Sequence, residues 1–318
     1  MIKFLSLSSG SSGNCYFVGR FALEDASKCV SGVLIDAGVS LRFLKNTFSQ
    51  YGLSTDCFSS ILITHDHMDH IRGLGSYCKK LHKTVCSSDT LISAMSRHTF
   101  KLDNINAPRR VLDPSVWTEV ADGISVRFFV VPHDATQTIG YALRLREDVE
   151  ENSGEVIVDG SDNTATCSTD DRETERNVVV EHSEMHSGKH SREHRLMIMT
   201  DAGRVTDEAL EWAKWADTVI FESNYDVDML MGGSYTHELK MRICGGQGHL
   251  SNDECADAIR KFVHPEMRNL FLCHLSENNN TPALAYESAK SVLGSDQCRR
   301  PINLRALPRR TTSGLILL

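Results

Sequence analysis

The stretch Thr64-His65-Asp66-His67-Met68-Asp69-His70 directly follows the apolar run Ile61-Leu62-Ile63. A cluster of histidines and aspartates this dense is tolerated mainly when a cation neutralises it. The apolar run is typical of a buried strand. The stretch therefore predicts a metal site on a loop that joins a strand to a helix.

A loop of this kind can hold two metal ions about 3.5 to 4 Å apart that share a hydroxide. His65 and His67 are expected on one side of the loop, and Asp69 and His70 on the other. Because these side chains cannot complete two coordination shells, distant segments must contribute as well. Three candidates follow predicted strands: His133, Asp201 and His274.

The rest of the chain alternates between segments with strand and helix patterns. Apolar spacing predicts helices over 41–51, 74–81, 207–216 and 253–263, with strands between them. Two strand-rich halves with helices outside them predict a layered α/β architecture.

The composition predicts one domain over 1–318 with an acidic insert at about 148–194. With 318 residues and 41% hydrophobic content, the chain can bury a large core. Polar and acidic residues dominate the insert, and aromatic residues are scarce, so we expect it to be disordered. The insert has a net charge of −9 and the whole chain −8, so the rest of the chain is close to neutral and the surface around the site can be basic.

Several protein classes are disfavoured by the same composition. The ten cysteines form no C-x-x-C pair, which argues against a disulfide scaffold. No apolar run approaches the roughly 18 residues of a membrane helix, and the first residues lack a signal-peptide pattern. We therefore expect a cytoplasmic protein without a membrane partner, with a nuclear location left open.

The ligand motifs, in this order, resemble those of the metallo-β-lactamase-fold hydrolases. The resemblance covers nearly the whole chain apart from the insert. It implies a four-layer αββα sandwich in which two sheets pack face to face and the metals lie at one edge. It also implies that Asp36, after the strand-like run Val33-Leu34-Ile35, orders the ligand loop.

The resemblance implies a complete ligand set for two divalent cations, Zn²⁺ or Mn²⁺. One metal takes His65, His67 and His133, the other takes Asp69, His70 and His274, and Asp201 bridges them. A bridging carboxylate gives a hard, oxygen-rich site that suits phosphate oxygens. Lactam-cleaving members typically carry cysteine at this place, so lactam hydrolysis is disfavoured.

Within this family, the chain is similar to the bacterial YycJ (WalJ) group, described as 5′-to-3′ DNA exonucleases. The motifs that carry this similarity are Leu7-Ser8-Ser9-Gly10-Ser11-Ser12-Gly13-Asn14, His133-Asp134-Ala135, Thr200-Asp201-Ala202-Gly203, Glu222-Ser223-Asn224-Tyr225-Asp226, Met229-Leu230, Gly248-His249-Leu250-Ser251-Asn252 and His274-Leu275-Ser276-Glu277-Asn278-Asn279. The implied activity is cleavage of phosphodiester bonds in nucleic acid, most simply DNA, with a metal-bridging hydroxide as the nucleophile.

Phosphodiester cleavage also needs a proton donor for the leaving oxygen. Gly248-His249, some way before His274, is similar to the pattern of tRNA 3′-end-processing endonucleases of this superfamily, in which such a histidine is paired with a glutamate. We hypothesise that Glu222 orients His249 and raises its pKa, which makes it the general acid. The alternative is that His249 only hydrogen-bonds a loop. With Asp69, these are the predicted catalytic residues.

Two polar segments are candidates for substrate contact. The first, between predicted strands at 4–7 and 16–18, is either a phosphate cradle or a tight structural turn. The second follows His274 and either contacts the substrate or caps a helix near residue 281. The predicted substrate-binding residues are Ser8, Ser9, Ser11, Asn14, Ser276, Asn278 and Asn279, and Lys240, Arg242 and Arg204 are either phosphate contacts or ordinary solvated side chains.

Two other function classes stay open. One is the hydrolysis of a small molecule, such as a cyclic phosphodiester or a thioester, which predicts a closed pocket. The other is a metal-stabilised binding protein without turnover. An aromatic content of 7% favours contacts to the sugar-phosphate backbone over a long base-stacking platform. The oligomeric state is not predicted.

Overall fold

Two mixed β-sheets form the centre of the computed structural model, which describes residues 1–97, 107–149, 190–294 and 300–318. In the described part of the chain, the first sheet contains β1 (Ile2–Gly10), β2 (Gly13–Phe21), β3 (Cys29–Ile35), β4 (Ser60–Leu62), β5 (Thr84–Ser87), β6 (Arg109–Val111) and β14 (Ile316–Leu317). Its spatial order is β14-β1-β2-β3-β4-β5-β6. The strands from β3 to β6 are parallel, whereas β14, β1, β2 and β3 pair antiparallel.

The second sheet has a similar mixture of directions. Within the described residues, it contains β7 (Thr118–Ala121), β8 (Ile124–Val131), β9 (Thr138–Val149), β10 (His190–Met199), β11 (Thr218–Glu222), β12 (Asn269–Cys273) and β13 (Asn303–Ala306), in the spatial order β13 to β7. The strands β10 to β13 are parallel, and β7 to β10 are antiparallel.

Helices connect the parallel strands. They are α1 (Leu41–Gln50), α2 (Met68–Ile71), α3 (Leu74–Leu81), α4 (Asp89–Met95), α5 (Asp207–Trp215), α6 (Val227–Gly232), α7 (His237–Cys244), α8 (Asn252–Phe262) and α9 (Pro282–Ser291), with a short 3₁₀ turn at Thr55–Cys57. Side-chain caps mark the first turn of several helices. At α8, Ser251 and Glu254 form a reciprocal capping box. The four predicted helices are confirmed to within one residue at their ends.

Successive side chains along each strand of the second sheet point to opposite faces, and the two faces belong to separate apolar cores. Ile220 and Phe271 face the first sheet, where Phe271 stacks on Phe4 with ring centroids 5.4 Å apart. Their neighbours Phe221 and Leu272 face the opposite way, into a core shared with α5, α8 and α9. On the far side of the first sheet, α1 packs through Phe48 against Phe17. The layers are therefore helix, sheet, sheet, helix, which confirms the αββα sandwich.

The serine-rich segment near the N-terminus differs from its prediction as a loop. Strand β1 runs to Gly10 and β2 begins at Gly13, so Ser11 and Ser12 form the turn. Ser8, Ser9 and Asn14 are buried residues of these strands, so the expected loop between them is reduced to a two-residue turn. Buried serine hydroxyls are tolerated here because other protein groups satisfy their hydrogen bonds.

Strands β9 and β10 extend into the predicted insert from both sides. The pairing places Glu147 opposite Arg192 and Arg146 opposite Glu193. Opposite charges across an antiparallel ladder stabilise the pairing, which explains why these polar residues continue the strands. Residues 150–189 lie outside the described residues, so the disorder of the insert and the single domain stay predictions. No helix that the structure describes has the length and apolar character to cross a membrane.

Candidate metal centre

The candidate ligands converge at the edge of the sandwich where parallel strands of both sheets end. The loop from His65 to His70 follows β4, and the other segments follow β3, β8, β10 and β12. Their side chains are those of Asp36, His133, Asp201 and His274, and Glu222 is the last residue of β11. Parallel strands share one carboxyl edge, so residues far apart in the chain meet there.

Three of these residues have left-handed backbone conformations. Their φ angles are 61° for Asp36, 54° for Asp201 and 54° for His274. This region is unfavourable for residues other than glycine, although aspartate and histidine tolerate it better than most. Such a conformation at the end of a strand turns the chain sharply. The strain is therefore concentrated where the ligand side chains must face one another.

The first group of donors consists of His65, His67 and His133, whose ligand atoms lie within 4.8 Å of one another. The Nδ1 atom of His133 donates a hydrogen bond to the carbonyl of Gly248 at 2.8 Å. The Nε2 atom of His67 donates to the carbonyl of Asp134 at 3.2 Å. These bonds leave His133 Nε2 and His67 Nδ1 with unprotonated lone pairs 3.3 Å apart. A cation between them would relieve their repulsion.

The second group consists of Asp69, His70 and His274, again with ligand atoms within 4.8 Å of one another. His70 Nδ1 donates to Asp36 Oδ2 at 2.7 Å, which leaves Nε2 directed at Asp69 Oδ2, 3.5 Å away. His274 Nε2 lies 3.6 Å from the same oxygen. The buried Asp36 also accepts from the backbone N–H and the hydroxyl of Thr64, both at 2.8 Å. Asp36 thus fixes the ligand loop.

Asp201 lies between the two groups and contacts both. Its Oδ2 is 3.1 Å from His70 Nε2, and its Oδ1 is 3.8 Å from His133 Nε2. Burial opposes ionisation of Asp201, but the rings of His274 and His70 hold its pKa well below the usual range. The carboxylate is therefore ionised and available to two cations.

The donor set fits divalent metal ions. Within the described residues, the Nε2 atoms of His65 and His274 are buried without a hydrogen-bond partner. Buried polar atoms are normally paired, so two such atoms in one cluster point to an ion. Burial and the neighbouring ring of His70 lower the pKa of His65 well below its usual value. Burial acts in the same direction on His70 and His274, but the surrounding carboxylates, Asp201 first among them, together outweigh it and raise the pKa of both rings, so a cation would have to displace their protons. Imidazole nitrogens with carboxylate oxygens suit Zn²⁺ and Mn²⁺.

His249 and Glu222 form a hydrogen-bonded pair beside the cluster. His249 Nδ1 donates to Glu222 Oε1 at 2.8 Å, and the same oxygen accepts from His274 Nδ1 at 3.2 Å. The other oxygen of Glu222 accepts from the backbone N–H of Ala202 at 2.7 Å. Burial opposes the charge on Glu222, but His249 and the other donors lower its pKa. The fully buried carboxylate therefore holds both rings in place.

A cavity of about 290 Å³ opens onto the cluster. It is lined by Ser11, His67, Asp69, His133, Asp134, Asp201, Asn224, Tyr235, Leu239, Arg242, Ile243, Gly248, His249, His274 and Ser276. The side chain of His249 is 22% exposed, so its Nε2 edge can be reached from this cavity. The structure thus places both donor groups and the predicted proton donor around one accessible space.

The predicted substrate contacts of the first polar segment divide into two sets. Ser11 lines the cavity. Ser8 donates to the carbonyl of Arg309 at 2.7 Å, and Ser9 accepts from the backbone N–H of His274 at 2.9 Å. Asn14 Nδ2 lies 3.2 Å from Asp69 Oδ2 and 2.8 Å from His70 Nε2. The positions of Ser8, Ser9 and Asn14 do not fit substrate contact, because their side chains are buried and bonded within the protein.

The second polar segment divides in the same way. Ser276 lines the cavity and accepts from the backbone N–H of Asn279, which is itself buried. Asn278 donates to the hydroxyl of Tyr235 at 2.9 Å. The helix-capping alternative is not observed for either asparagine, since Thr281 caps α9. Asn278 thus contacts the cavity wall, and Asn279 supports the loop.

Sequence reasoning did not single out several residues around the cavity. Asn224 donates to the carbonyl of His274 at 2.7 Å and lines the cavity. Its place two residues after the end of β11, within a quoted motif, was an available signal. Tyr235 follows no recognisable motif, and Leu239 and Ile243 gave no signal because an apolar residue on a helix ordinarily faces a core.

Known proteins share this fold. Residues 32–186 match the family described as the beta-lactamase superfamily domain. The crystal structure of Zn²⁺-bound PqqB from Methylobacterium extorquens superposes with a TM-score of 0.61 at 14% identity, over 99% of this chain and 100% of that one. The chain has the metallo-β-lactamase fold.

Two curated relatives extend this similarity beyond the fold. An exodeoxyribonuclease YycJ of Bacillus anthracis is 29% identical over 292 residues, which cover 92% of this chain and 89% of the relative. An exodeoxyribonuclease WalJ of Streptococcus pneumoniae is 26% identical over 284 residues, covering 89% and 85%. The metallo-β-lactamase fold and the similarity to the YycJ/WalJ group, both predicted from the motifs, are confirmed.

Proposed function

We propose that the protein is a hydrolase with two divalent metal ions that cleaves phosphodiester bonds in nucleic acid, as a DNA exonuclease acting from 5′ to 3′. The observation that carries this proposal is one cavity lined by members of both donor groups (His67, His133, Asp69 and His274) and by His249. The names of the two curated relatives support DNA as the substrate.

In this proposal His65, His67 and His133 would hold one cation, and Asp69, His70 and His274 would hold the other, with Asp201 lying between the two donor groups. Such a pair of cations would supply Lewis acidity and would lower the pKa of a bound water. The residues around them set the orientation of each ring, because Asp36, Gly248 and Glu222 accept the second N–H of His70, His133 and His274, respectively. Hydrogen-bonded ligands of this kind bind metal more tightly.

His249 acts as the general acid. Its Nδ1 proton is committed to Glu222, so Nε2 carries the proton that passes to the leaving oxygen. The buried carboxylate of Glu222 accepts from Nδ1 and so fixes the orientation of the ring. Asp69 contributes as a ligand whose position Asn14 supports.

A second candidate function is hydrolysis of a small cyclic phosphodiester. The limited cavity volume of about 290 Å³ favours it, since sites for small molecules begin near this size. A nuclease should bind polymer with an affinity that falls steeply with salt, whereas a small-molecule hydrolase should not.

The test is an assay of the purified protein loaded with Mn²⁺ or Zn²⁺. Its substrates are 5′-phosphorylated duplex DNA, single-stranded DNA, RNA and a cyclic dinucleotide. We expect mononucleotides to appear first from the 5′ end of DNA. Cleavage of the cyclic dinucleotide alone would replace the proposal with the second candidate.

A further inference from the structure

The cavity has two chemically different walls. One wall carries the donor groups and His249. The other is formed by Tyr235 and the residues Leu239, Arg242 and Ile243 of α7. Because residues three and four apart lie on one face of a helix, these three α7 side chains form a continuous stripe. A stripe of two aliphatic side chains and one arginine therefore faces the candidate reaction site.

Helix α7 is unusual in what it buries. None of its residues from His237 to Cys244 is fully buried, although Leu239 and Ile243 are apolar. The helix is nevertheless anchored, because Lys240 Nζ donates to the carbonyls of Met231 and Gly233 at 2.7 Å each. A fixed helix that leaves this stripe on a cavity provides a ready binding surface.

Arg242 is the one arginine or lysine that lines this cavity in the described part of the chain. Its Nε donates to Asp134 Oδ2 at 2.6 Å, and its Nη2 contacts the same oxygen. Among the described residues, Nη1 has no hydrogen-bond partner, and the side chain is 65% exposed. Asp134 Oδ1 lies 3.4 Å from His133 Nε2, so the Asp134 carboxylate contacts both the guanidinium and a residue of the first donor group.

The ring of Tyr235 completes this wall. Its hydroxyl accepts a hydrogen bond from Asn278 Nδ2 at 2.9 Å, which holds the ring at the rim. A nucleotide offers an apolar base face and a phosphate anion, and aromatic or apolar side chains bind bases without sequence preference. The wall offers matching partners, with an aromatic ring and aliphatic side chains beside one cation.

We propose that Tyr235 and α7 bind the 5′-terminal nucleotide of the substrate, an inference that rests on the proposed exonuclease function. Tyr235, Leu239 and Ile243 contact the base, and Nη1 of Arg242 binds the terminal 5′-phosphate. Asp134 is a positioning residue that aims the guanidinium. The scissile phosphate then lies against the opposite wall, beside the donor groups. This arrangement selects a strand end instead of a strand interior.

The test compares substrates that differ only in the terminal nucleotide, using the full chain loaded with Mn²⁺. Duplexes carry a 5′-phosphate or a 5′-hydroxyl, and a normal or an abasic first residue. The variants are Arg242→Ala, and Leu239→Ala combined with Ile243→Ala. The matched controls are Arg260→Ala, an exposed arginine paired with Asp257 on α8, and Met241→Ala, an exposed apolar residue of α7 outside the cavity wall.

We expect the wild-type KM to be about tenfold lower with a 5′-phosphate and about tenfold lower with a normal base. Arg242→Ala should abolish only the first preference, and the double variant should reduce only the second, because Tyr235 remains. Both controls should keep both preferences. Wild-type protein that degrades DNA without these preferences, or variants that retain them undiminished, would overturn the inference.

A binding measurement separates this inference from the proposed function. If no nucleic acid is degraded by the wild-type protein, the exonuclease proposal fails, but binding of deoxyadenosine 5′-monophosphate still tests the wall. We then expect Arg242→Ala to bind the mononucleotide at least about tenfold more weakly than Arg260→Ala. Equal binding by these two variants would exclude the wall as a nucleotide site.

Discussion

Glu222 accepts a hydrogen bond from His249 at 2.8 Å, and this relationship links the predicted proton donor to the metal centre. The accepting oxygen, Oε1, also accepts a hydrogen bond from Nδ1 of His274. One buried carboxylate therefore orients both a ring proposed to move a proton and a ring proposed to bind a cation. Replacing either histidine leaves Glu222 with the other, whereas replacing Glu222 affects both.

Substitution of His249 should impair chemistry without removing metal. We expect His249→Ala to lower kcat by roughly 10²- to 10⁴-fold, because the leaving oxygen loses its proton donor. Metal content measured by atomic absorption should remain at the wild-type value. Glu222→Gln should lower both kcat and metal content. A His249→Ala enzyme with both full activity and full metal content would rule out the general-acid role.

Asp36 should determine metal affinity although it lies outside the donor groups. Asparagine tolerates the left-handed backbone at this position, but its amide nitrogen cannot accept the His70 and Thr64 hydrogen bonds. We expect Asp36→Asn to weaken Zn²⁺ binding by about 10- to 100-fold in a chelator competition assay. Asp25→Asn, at an exposed loop, is the matched control and should bind like the wild type. Unchanged affinity in Asp36→Asn would contradict this role.

Removal of metal should reduce both activity and stability. Chelation should abolish hydrolysis, and added Mn²⁺ or Zn²⁺ should restore it. Because a ligand that binds only the folded state stabilises it, the free energy of unfolding should rise by about 2.7 kcal/mol at a metal concentration 100 times Kd. Thermal melts at several metal concentrations measure this. A melting temperature that is independent of metal would show that the cluster does not bind ions.

The serine-rich segment should contribute stability through its buried hydroxyls. Ser9 accepts from the backbone N–H of His274 and hydrogen-bonds the hydroxyl of Tyr16 at 2.8 Å. Ser9→Ala should destabilise the protein by about 1 to 3 kcal/mol, because two buried groups lose a partner. Ser12→Ala, in the exposed turn of the same hairpin, should change stability by less than about 0.5 kcal/mol. Denaturant titrations measure the free energy of unfolding of both variants. Equal losses would mean that the buried hydroxyl of Ser9 contributes no more to stability than a hydroxyl in an exposed turn.

The strand pair at the base of the insert should show a pH-dependent contribution. Burial opposes ionisation of Glu147, but its hydrogen bond to His194 and the charge there lower its pKa below the usual 4.5. A carboxylate with a depressed pKa contributes stability above pH 4.5 that is lost as the pH falls through its folded-state pKa.

We therefore expect Glu147→Gln to lose about 1 kcal/mol at pH 7 and to match the wild type near pH 3. Unfolding titrations at the two pH values measure this difference. Glu193→Gln, on the neighbouring strand and half exposed, should show no such change with pH. A Glu147→Gln difference that is the same at both pH values would mean that the ion pair adds nothing.

The short-range patterns of the chain determined a large part of this architecture. The apolar run Ile61-Leu62-Ile63 overlaps β4. The dense His65 to His70 stretch that follows it forms part of both donor groups, as its need for a neutralising cation predicts. His133, Asp201 and His274 could be selected in advance because each follows a predicted strand. The structure brings all three to the loop, since strands that run parallel end at one edge.

Other assignments depended on contacts that cannot be deduced from local sequence. Serines typical of a loop proved to be buried strand residues, because His274 and Arg309, more than 260 positions away, satisfy their hydroxyls. The charged strand end at Arg146 and Glu147 is extended by its cross-strand partners Glu193 and Arg192, which lie at the far end of the predicted insert.

The sequence by itself determined the donor atoms, since metal chemistry restricts them to a few residue types at the ends of strands. Only the tertiary structure decided what surrounds those atoms. An exposed helix with an apolar face, such as α7, has no distinctive local pattern. Its position opposite the donor groups arises from the packing of the two sheets. The burial of each side chain and its distance from the donor atoms are properties of that packing, which local sequence does not contain.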